Sequence, residues 1–476
     1  MADRSGLWEL LRQTADGGAV AALSAEVETG EDRALNRINP LAFASSRKLN
    51  EDATITALVH AARLGLFDMT WNMMCPGCGG VLDTGDALKA ISRAQYHCSL
   101  CTRDCEPILD ELVEVTFTVN PRIRRIVAHN PDSLPIEEYV RQIYFSSAFD
   151  SPDNLHKVIE DASLDLLELG PGERAAMSLT LPPGRHLLFD PVTHTGLRLD
   201  VDGEETRERR NLSVAFAGAQ SQRNVAAIAP GPVRISLENT SSRRILPILW
   251  IKNEAFWRIF RSRRPYLTAT RMLSNQAFRD LYRAATLDPE QRFKITSLTI
   301  LFTDLRGSTE LYDRVGDVAA FDLVRRHFGE LLSAISAEGG AVVKTIGDAV
   351  MAAFPTPDRG LRAAMAMRRA MSKINEGRSN DDLALKIGLH TGPCLAVTLD
   401  ERQDYFGAAV NIASRVQGRA EPNAILATKS VFDALEDRAV LEDAGNLLTC
   451  RLLALRGVSE ELEVFEFREK AAASAN

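Results

Sequence analysis

Two aspartates and four cysteines stand out in this sequence, because their types and spacing could hold metal ions and, through them, phosphates. Asp304 closes the apolar run of "TSLTILFTDLRGSTELYDRVGD" (296–317), where Leu298, Ile300, Leu301 and Phe302 read as a strand that delivers a carboxylate to the mouth of a turn. Asp348 lies in "GGAVVKTIGDAVMAAF" (339–354), which reads as a strand hairpin turning near Ile346, Gly347 and Asp348. Adjacent strand ends would bring the two acids together, and carboxylates in close contact repel unless a cation neutralises them. Hard oxygen ligands select magnesium or manganese, ions that usually bind substrate phosphates as well. The turn Leu305, Arg306, Gly307, Ser308 and Thr309 would then offer backbone N–H groups at a helix N-terminus as a phosphate cradle. Spacing alone leaves an alternative standing: Asp304 as a helix cap and Asp348 as a turn residue.

The cysteines form a second pattern. Cys75-Pro-Gly-Cys78 is followed by nineteen intervening residues and then by Cys98-Ser-Leu-Cys101. Each C-x-x-C pair can wrap a tight knuckle round one side of a metal, and two pairs supply the tetrahedral thiolate set that zinc prefers. One structural zinc per chain is the expectation, with His97 and Cys105 as substitute ligands. A closed four-thiolate site serves folding and not catalysis. Free thiols or a redox pair are the alternative reading.

The elements that must position these groups can be read more coarsely. The 476 residues, 45% hydrophobic, can bury more than one core. A formal net charge of −8 argues against a general nucleic-acid binder, and the basic stretches at 207–210 and 258–264 read as solvated faces. No stretch approaches a membrane span, and the N-terminal "MADRSGLWELLRQT" reads as an amphipathic helix without the apolar core of a signal peptide, so the cytoplasm is the expected compartment. Residues 1–70 read as helical, 71–108 as a zinc-ribbon-like segment, and 109–265 as a β-rich, sandwich-like domain cut by Pro-Gly, Asp-Gly and Asn-Thr turns. Residues 266–295 read as a helical connector with Ser274 or Asn275 as N-cap. In 296–470 strands and helices alternate: after the hairpin comes a helix over 359–374, then "ALKIGLHTG" and "PCLAVTL" as a strand pair, then a helix starting near Gly407. Tight hairpins require an antiparallel or mixed sheet.

Four stretches of that last region, "FTDLRGST", "VVKTIGDAVMAAF", "KIGLHTG" and "DYFGAAVNIASR", follow the order and spacing of a known family. From Ser297 to Phe467 the sequence resembles the class III nucleotidyl cyclases, the catalytic domain of adenylyl and guanylyl cyclases. The resemblance implies an α+β protein with a ferredoxin-like α/β sandwich at its C-terminal end. It implies that Asp304 and Asp348, with the carbonyl of Leu305, hold two Mg²⁺ or Mn²⁺ ions per active site. Lys344 and Asp404 match the lysine and aspartate that read adenine, where a Lys donor suits N1 and a carboxylate accepts from N6. Asn411 and Arg415, four apart on one helix face, match the residues that position the ribose and stabilise the pentavalent phosphorus. Lys386 matches a basic residue that touches pyrophosphate in some members. Arg456 stands where many members carry lysine for the terminal phosphate, a departure that keeps the charge.

The same resemblance implies ATP as substrate, cyclic AMP and diphosphate as products, and a homodimer with shared sites. Asp304 and Asp348 would come from one protomer, and Lys344, Asp404, Asn411 and Arg415 from the other. Residues 1–265 resemble an uncharacterised domain that precedes cyclase domains in bacterial proteins, a position that fits regulation by an unknown ligand or protein. His390, alone on an apolar strand, is not assigned as a base. A guanylyl cyclase would be favoured by Glu at position 344. A non-catalytic nucleotide sensor or scaffold would be favoured by loss of Asp304, Asp348, Asn411 or Arg415.

Overall fold

The structure is a computed structural model that describes residues 4–217, 224–258, 260, 262–282, 287–306, 313, 316–376, 383–399, 402–437, 441, 446–458 and 460–469. Contacts divide the chain into two units, one of Met1–Pro107 with Leu112–Leu267 and one of Ile108–Glu111 with Thr268–Asn476. Helices and strands are mixed in both, as in an α+β protein. Among the described residues no helix is long and apolar enough to cross a membrane.

The first unit opens with helices Arg4–Thr14, Gly17–Thr29, Pro40–Arg47 and Glu51–Arg63. The last three start at Asp16, Asn39 and Asn50, whose side chains accept from the first free backbone N–H groups. Strand Phe67–Met74 then pairs with both Val81–Gly85 and Val113–Val119. It crosses residue 70, so the helical segment and the cysteine-bearing segment are joined by one sheet. Beyond them a three-stranded sheet faces a five-stranded one. Met177, Val214, Phe216, Val233 and Ile235 of the first meet Leu188, Leu199, Val201 and Leu249 of the second in a continuous core. The chain passes between the sheets at Pro182-Pro183, where prolines cannot donate to either ladder.

The second unit begins with two short helices, α1 (Ala269–Leu273) and α2 (Gln276–Leu281), the second capped by Asn275. There follow β1 (Phe293–Arg306), α3 (Asp317–Ala337), β2 (Ala341–Ile346), β3 (Ala349–Phe354), α4 (Pro357–Asn375) and β4 (Ala384–Leu399). The remainder is β5 (Arg402–Phe406), α5 (Ala408–Gln417), β6 (Ile425–Thr428), α6 (Lys429–Asp433), β7 (Asn446–Leu453) and β8 (Leu462–Glu469). The sheet runs β2-β3-β1-β4-β6-β8-β7, with β5 paired to β4. It is mixed, because β4 and β6 alone among these pairs are parallel.

Side-chain alternation sorts its two faces. Leu301, Leu305, Val350, Ala352, Ile387 and Leu389 point into the core that α3 and α4 cover. Gly388 and Gly392 point the other way, toward α5: a Cβ on Gly388 would lie 2.2 Å from the backbone nitrogen of Gln417, so only glycine admits the helix there.

One expectation is corrected. "ALKIGLHTG" and "PCLAVTL" are not a pair of strands but the single strand β4, and β5 is the partner of its second half. Pro393 does not break it, because β1 bulges opposite: Ile295 faces Cys394 and Leu298 faces Gly392, which leaves Thr296 and Ser297 outside the ladder. Their N–H groups donate to the Asp110 carboxylate at 2.9 Å each. Strand β1 also starts earlier than its apolar run, at Phe293.

Candidate active site

The pairing of β1 carries Asp304 to a position opposite Lys386 of β4, while the β2–β3 hairpin presents Asp348 from its turn. Gly347 takes φ +63 beside it, which the tight turn requires. The two acids feel each other. Burial first, then the Asp348 charge, push the Asp304 carboxyl above the usual carboxylate value, and Lys386 pulls the other way. The Oδ2 atom of Asp348 is buried and has no hydrogen-bond partner among the described residues. An orphaned carboxylate oxygen beside a second carboxylate is a donor set that fits a divalent cation. Leu305 is buried and Arg306 exposed at the strand end, whereas Gly307, Ser308 and Thr309 lie outside the described residues.

Two neighbours of this pair had no signal in the sequence. His327 of α3 is fully buried, and burial lowers its pKa to about 4 even though the Asp348 charge opposes that shift. A lone histidine on the apolar face of a helix gives no hint of the turn it will meet. Gln417, at the end of α5, lies near enough to Asp304 to favour its charged form, although its own Nε2 is buried without a well-formed hydrogen bond among the described residues.

A second cluster forms from β2 and β5. Lys344 Nζ donates to Asp404 Oδ2 at 2.6 Å, and Asp404 Oδ1 accepts from the Tyr405 backbone at 2.8 Å. Asp404 is buried, and the lysine is partly exposed. A donor and an acceptor therefore stand side by side.

Asn411 and Arg415 form a third group on the exposed face of α5. The Arg415 guanidinium lies against Gly457, next to the exposed Arg456. Gln417 is two residues beyond Arg415, or roughly 200° around the helix. The side of α5 that meets Asp304 is thus not the side that carries Asn411 and Arg415. His390 stays out of all three groups: its Nδ1 is 2.9 Å from the Thr428 hydroxyl, and burial lowers its pKa to about 4.

In the first unit the ligand atoms of Cys75, Cys78, Cys98 and Cys101 all lie within 4.8 Å of one another, a cluster that could bind a metal. Three of these cysteines are buried. Hydrogen bonds from Cys101, Cys78 and Cys98 lower the Cys75 pKa, while Cys78 and Cys98 are raised, so the thiols cannot all be charged together unless a cation joins them. His97 is paired with Asp104 at 2.6 Å, and Cys105 is pushed up to about 12 by burial; neither belongs to the cluster.

Comparison with known proteins gives two family matches. Residues 1–280 match a family of unknown function, DUF5939, and residues 291–451 match the adenylate and guanylate cyclase catalytic domain. An adenylate cyclase of Anabaena cylindrica is 31% identical over 186 residues, covering 36% of this chain and 36% of that protein. A pH-sensitive adenylate cyclase of Mycobacterium tuberculosis is 32% identical over 174 residues, covering 37% of this chain and 41% of that protein. The chain thus spans well under half the length of these curated relatives. Among solved structures, an adenylyl cyclase from P. aeruginosa is 24% identical, with a TM-score of 0.32, over 38% of this chain and 97% of that one. A guanylyl cyclase structure is 22% identical, with a TM-score of 0.32, over 39% and 96%.

The raised Asp304 carboxyl has a consequence for stability. A carboxyl held above its ordinary value binds its proton more tightly in the folded state, so stability falls as pH rises from that ordinary value upward. Asp348→Asn removes the repulsion. In chelator at neutral pH it should raise Tm by about 2 °C, with no gain below the carboxylate range. Mn²⁺ should stabilise the parent chain and not the variant. A variant that is less stable than the parent in chelator would show that the two acids do not repel.

Proposed function

We propose that this chain, which belongs to the DUF5939 family of unknown function and ends in a class III adenylate and guanylate cyclase catalytic domain, is an adenylate cyclase that works in the cytoplasm. The observation that carries the choice of substrate is the Lys344–Asp404 pair at 2.6 Å. Adenine offers an acceptor, N1, beside a donor, the N6 amine, and guanine offers the reverse order. A lysine donor held beside a carboxylate acceptor complements the first edge and opposes the second. The adenylate cyclases among the relatives support the same reading.

In the reaction the ribose 3′-oxygen attacks the α-phosphorus of ATP. The new O–P bond forms as the bond from the α-phosphorus to the bridging oxygen breaks, diphosphate leaves, and the hydroxyl proton passes to solvent. Two Mg²⁺ or Mn²⁺ ions, held by Asp304, Asp348 and the Leu305 carbonyl, would lower the hydroxyl pKa and neutralise the triphosphate. Arg415 would stabilise the charge that develops on the transferred phosphorus, and Asn411 would orient the ribose. Lys386 and Arg456 would bind the leaving diphosphate.

Asn411 and Arg415 lie on the face of α5 turned away from Asp304, which supports a site completed by a second copy. Exposed apolar side chains, Phe406 at 62% and Ile346 at 53%, support a dimer as well. We assign the thiol cluster one structural zinc, and we assign the first unit a regulatory role toward an unknown ligand or protein.

Purified chain with Mn²⁺ should turn ATP into cyclic AMP faster than GTP into cyclic GMP. Lys344→Glu should cut ATP turnover about 100-fold, because an acceptor then faces N1. An unchanged ATP-to-GTP ratio in that variant would remove Lys344 from base reading.

Asp304→Ala and Arg415→Ala chains should each be inactive alone. Mixed at random, half their dimers are heterodimers with one intact site of two, so about a quarter of the parent activity should return. Mixed dimers that form and stay inactive would mean that each site is built within one chain.

Metal analysis of freshly purified protein should find about one zinc per chain, and Cys75→Ser should lower both zinc content and Tm. Protein free of zinc would leave the thiols as a reduced cluster.

A further inference from the structure

Strands β2 and β5, which carry Lys344 and Asp404, share no ladder. In the pairings described, β2 bonds to β3 and β5 bonds to β4. Sheet hydrogen bonds therefore do not fix the distance between the two side chains. The helix α2 joins them instead. Arg279 Nη2 donates to the carbonyl of Gln403 at 2.7 Å and approaches that of Val343 at 3.4 Å. These are the residues immediately before Asp404 and Lys344. One guanidinium thus ties together the two peptide groups that lead into the base-reading pair.

Gln276, one turn earlier on α2, holds the same strand from a second point. Its Oε1 accepts from the Val342 backbone at 2.8 Å, and its Nε2 donates to Asp280 at 3.1 Å, which orients the amide. Val342 borders the irregularity of β2: it faces Ala352, Lys344 faces Met351, and Val343 is left over. A bulge is where a strand is most easily re-aimed, so the contact acts where the direction of Lys344 is set. The helix itself is anchored by buried Phe278 and by its Asn275 cap. A cavity of about 240 Å³ lined by Gln276, Arg279, Lys344 and Gln403 leaves Lys344 room to relax once the tie is cut.

From this geometry we propose that Arg279 and Gln276 are positioning residues for substrate choice: they hold β2 and β5 at the spacing at which Lys344 and Asp404 match the adenine edge. The inference rests on the assignment of those two residues as base readers. It deepens that assignment, because discrimination between purines then depends on a helix that precedes the catalytic strands. Displacement of a donor by about 1 Å is enough to spoil recognition of a base edge, while the triphosphate contacts stay intact.

The test measures kcat and KM for ATP and for GTP in the full chain and in Arg279→Ala, Arg279→Lys, Gln276→Ala and Lys344→Ala. Binding of non-hydrolysable ATP and GTP analogues is measured alongside by calorimetry. Arg279→Ala should lower the ATP-to-GTP ratio of kcat/KM about tenfold, mainly through KM for ATP, with GTP little changed. Arg279→Lys should restore part of the ratio, since one donor remains. Gln276→Ala should act in the same direction and more weakly, and it carries the test if Arg279→Ala does not fold. Equal losses for both nucleotides would reduce Arg279 to a structural residue and overturn the proposal. Lys344→Ala separates the two levels. If it keeps its preference for ATP, the base-reader assignment falls and this inference falls with it. If it loses that preference while the Arg279 and Gln276 variants keep theirs, only the tie is overturned.

Discussion

Like charges do not gather unaided, and the second unit sets two carboxyl groups within reach of each other's charge. Asp304 and Asp348 are brought together by β-ladders that cannot yield without breaking the core behind them. Leu301 and Leu305 on β1, and Val350 and Ala352 on β3, are buried under α3 and α4, so the strand ends carrying the acids are fixed by apolar packing on the opposite face of the sheet. Burial first, and the Asp348 charge second, raise the Asp304 carboxyl. Such repulsion lowers stability in the absence of a cation, and a divalent cation bound between the two acids, as proposed, would offset it.

Much of this could be read from the chain alone, where local chemistry decides the outcome. The β2–β3 hairpin was legible because apolar strands flank a Gly-Asp turn, and Asn275 was legible as a helix cap because a short polar side chain precedes a helical run. The two C-x-x-C pairs announced a cluster by spacing. What could not be read depends on distant partners. Strand β4 runs through Pro393 because β1 bulges opposite it, and that bulge is satisfied by Asp110, far back in the sequence. No window around Pro393 contains that information. Arg279 was equally silent, since its partners are main-chain carbonyls whose proximity only the tertiary fold creates.

The first unit obeys a related constraint. Its four thiols sit among aromatic rings: Cys75, Cys78 and Cys98 share a core with Tyr144, Phe145, Phe189 and Trp250, and the Tyr144 hydroxyl is 3.7 Å from the Cys78 sulfur. Polar or ionised sulfur in such surroundings is costly unless its charge is balanced. The knuckles, the short π-helix Val140–Tyr144 and one sheet of the sandwich meet at this point. A metal there would tie three parts of the unit at once.

Helix α5 shows why one chain is not the natural unit of the proposed chemistry. Its inward side must lie close against Gly388, where no side chain fits, and this brings Gln417 toward Asp304. A helix so fixed cannot also turn Asn411 and Arg415 toward the same carboxylates, because residues two apart face nearly opposite directions. In the proposed reaction those two side chains would then act on a phosphate held elsewhere. A head-to-tail pair, as proposed, would resolve the conflict: the exposed face of α5 in each copy would serve the acids of the other, and the close approach at Gly388 that denies Arg415 to its own chain would offer it to the partner.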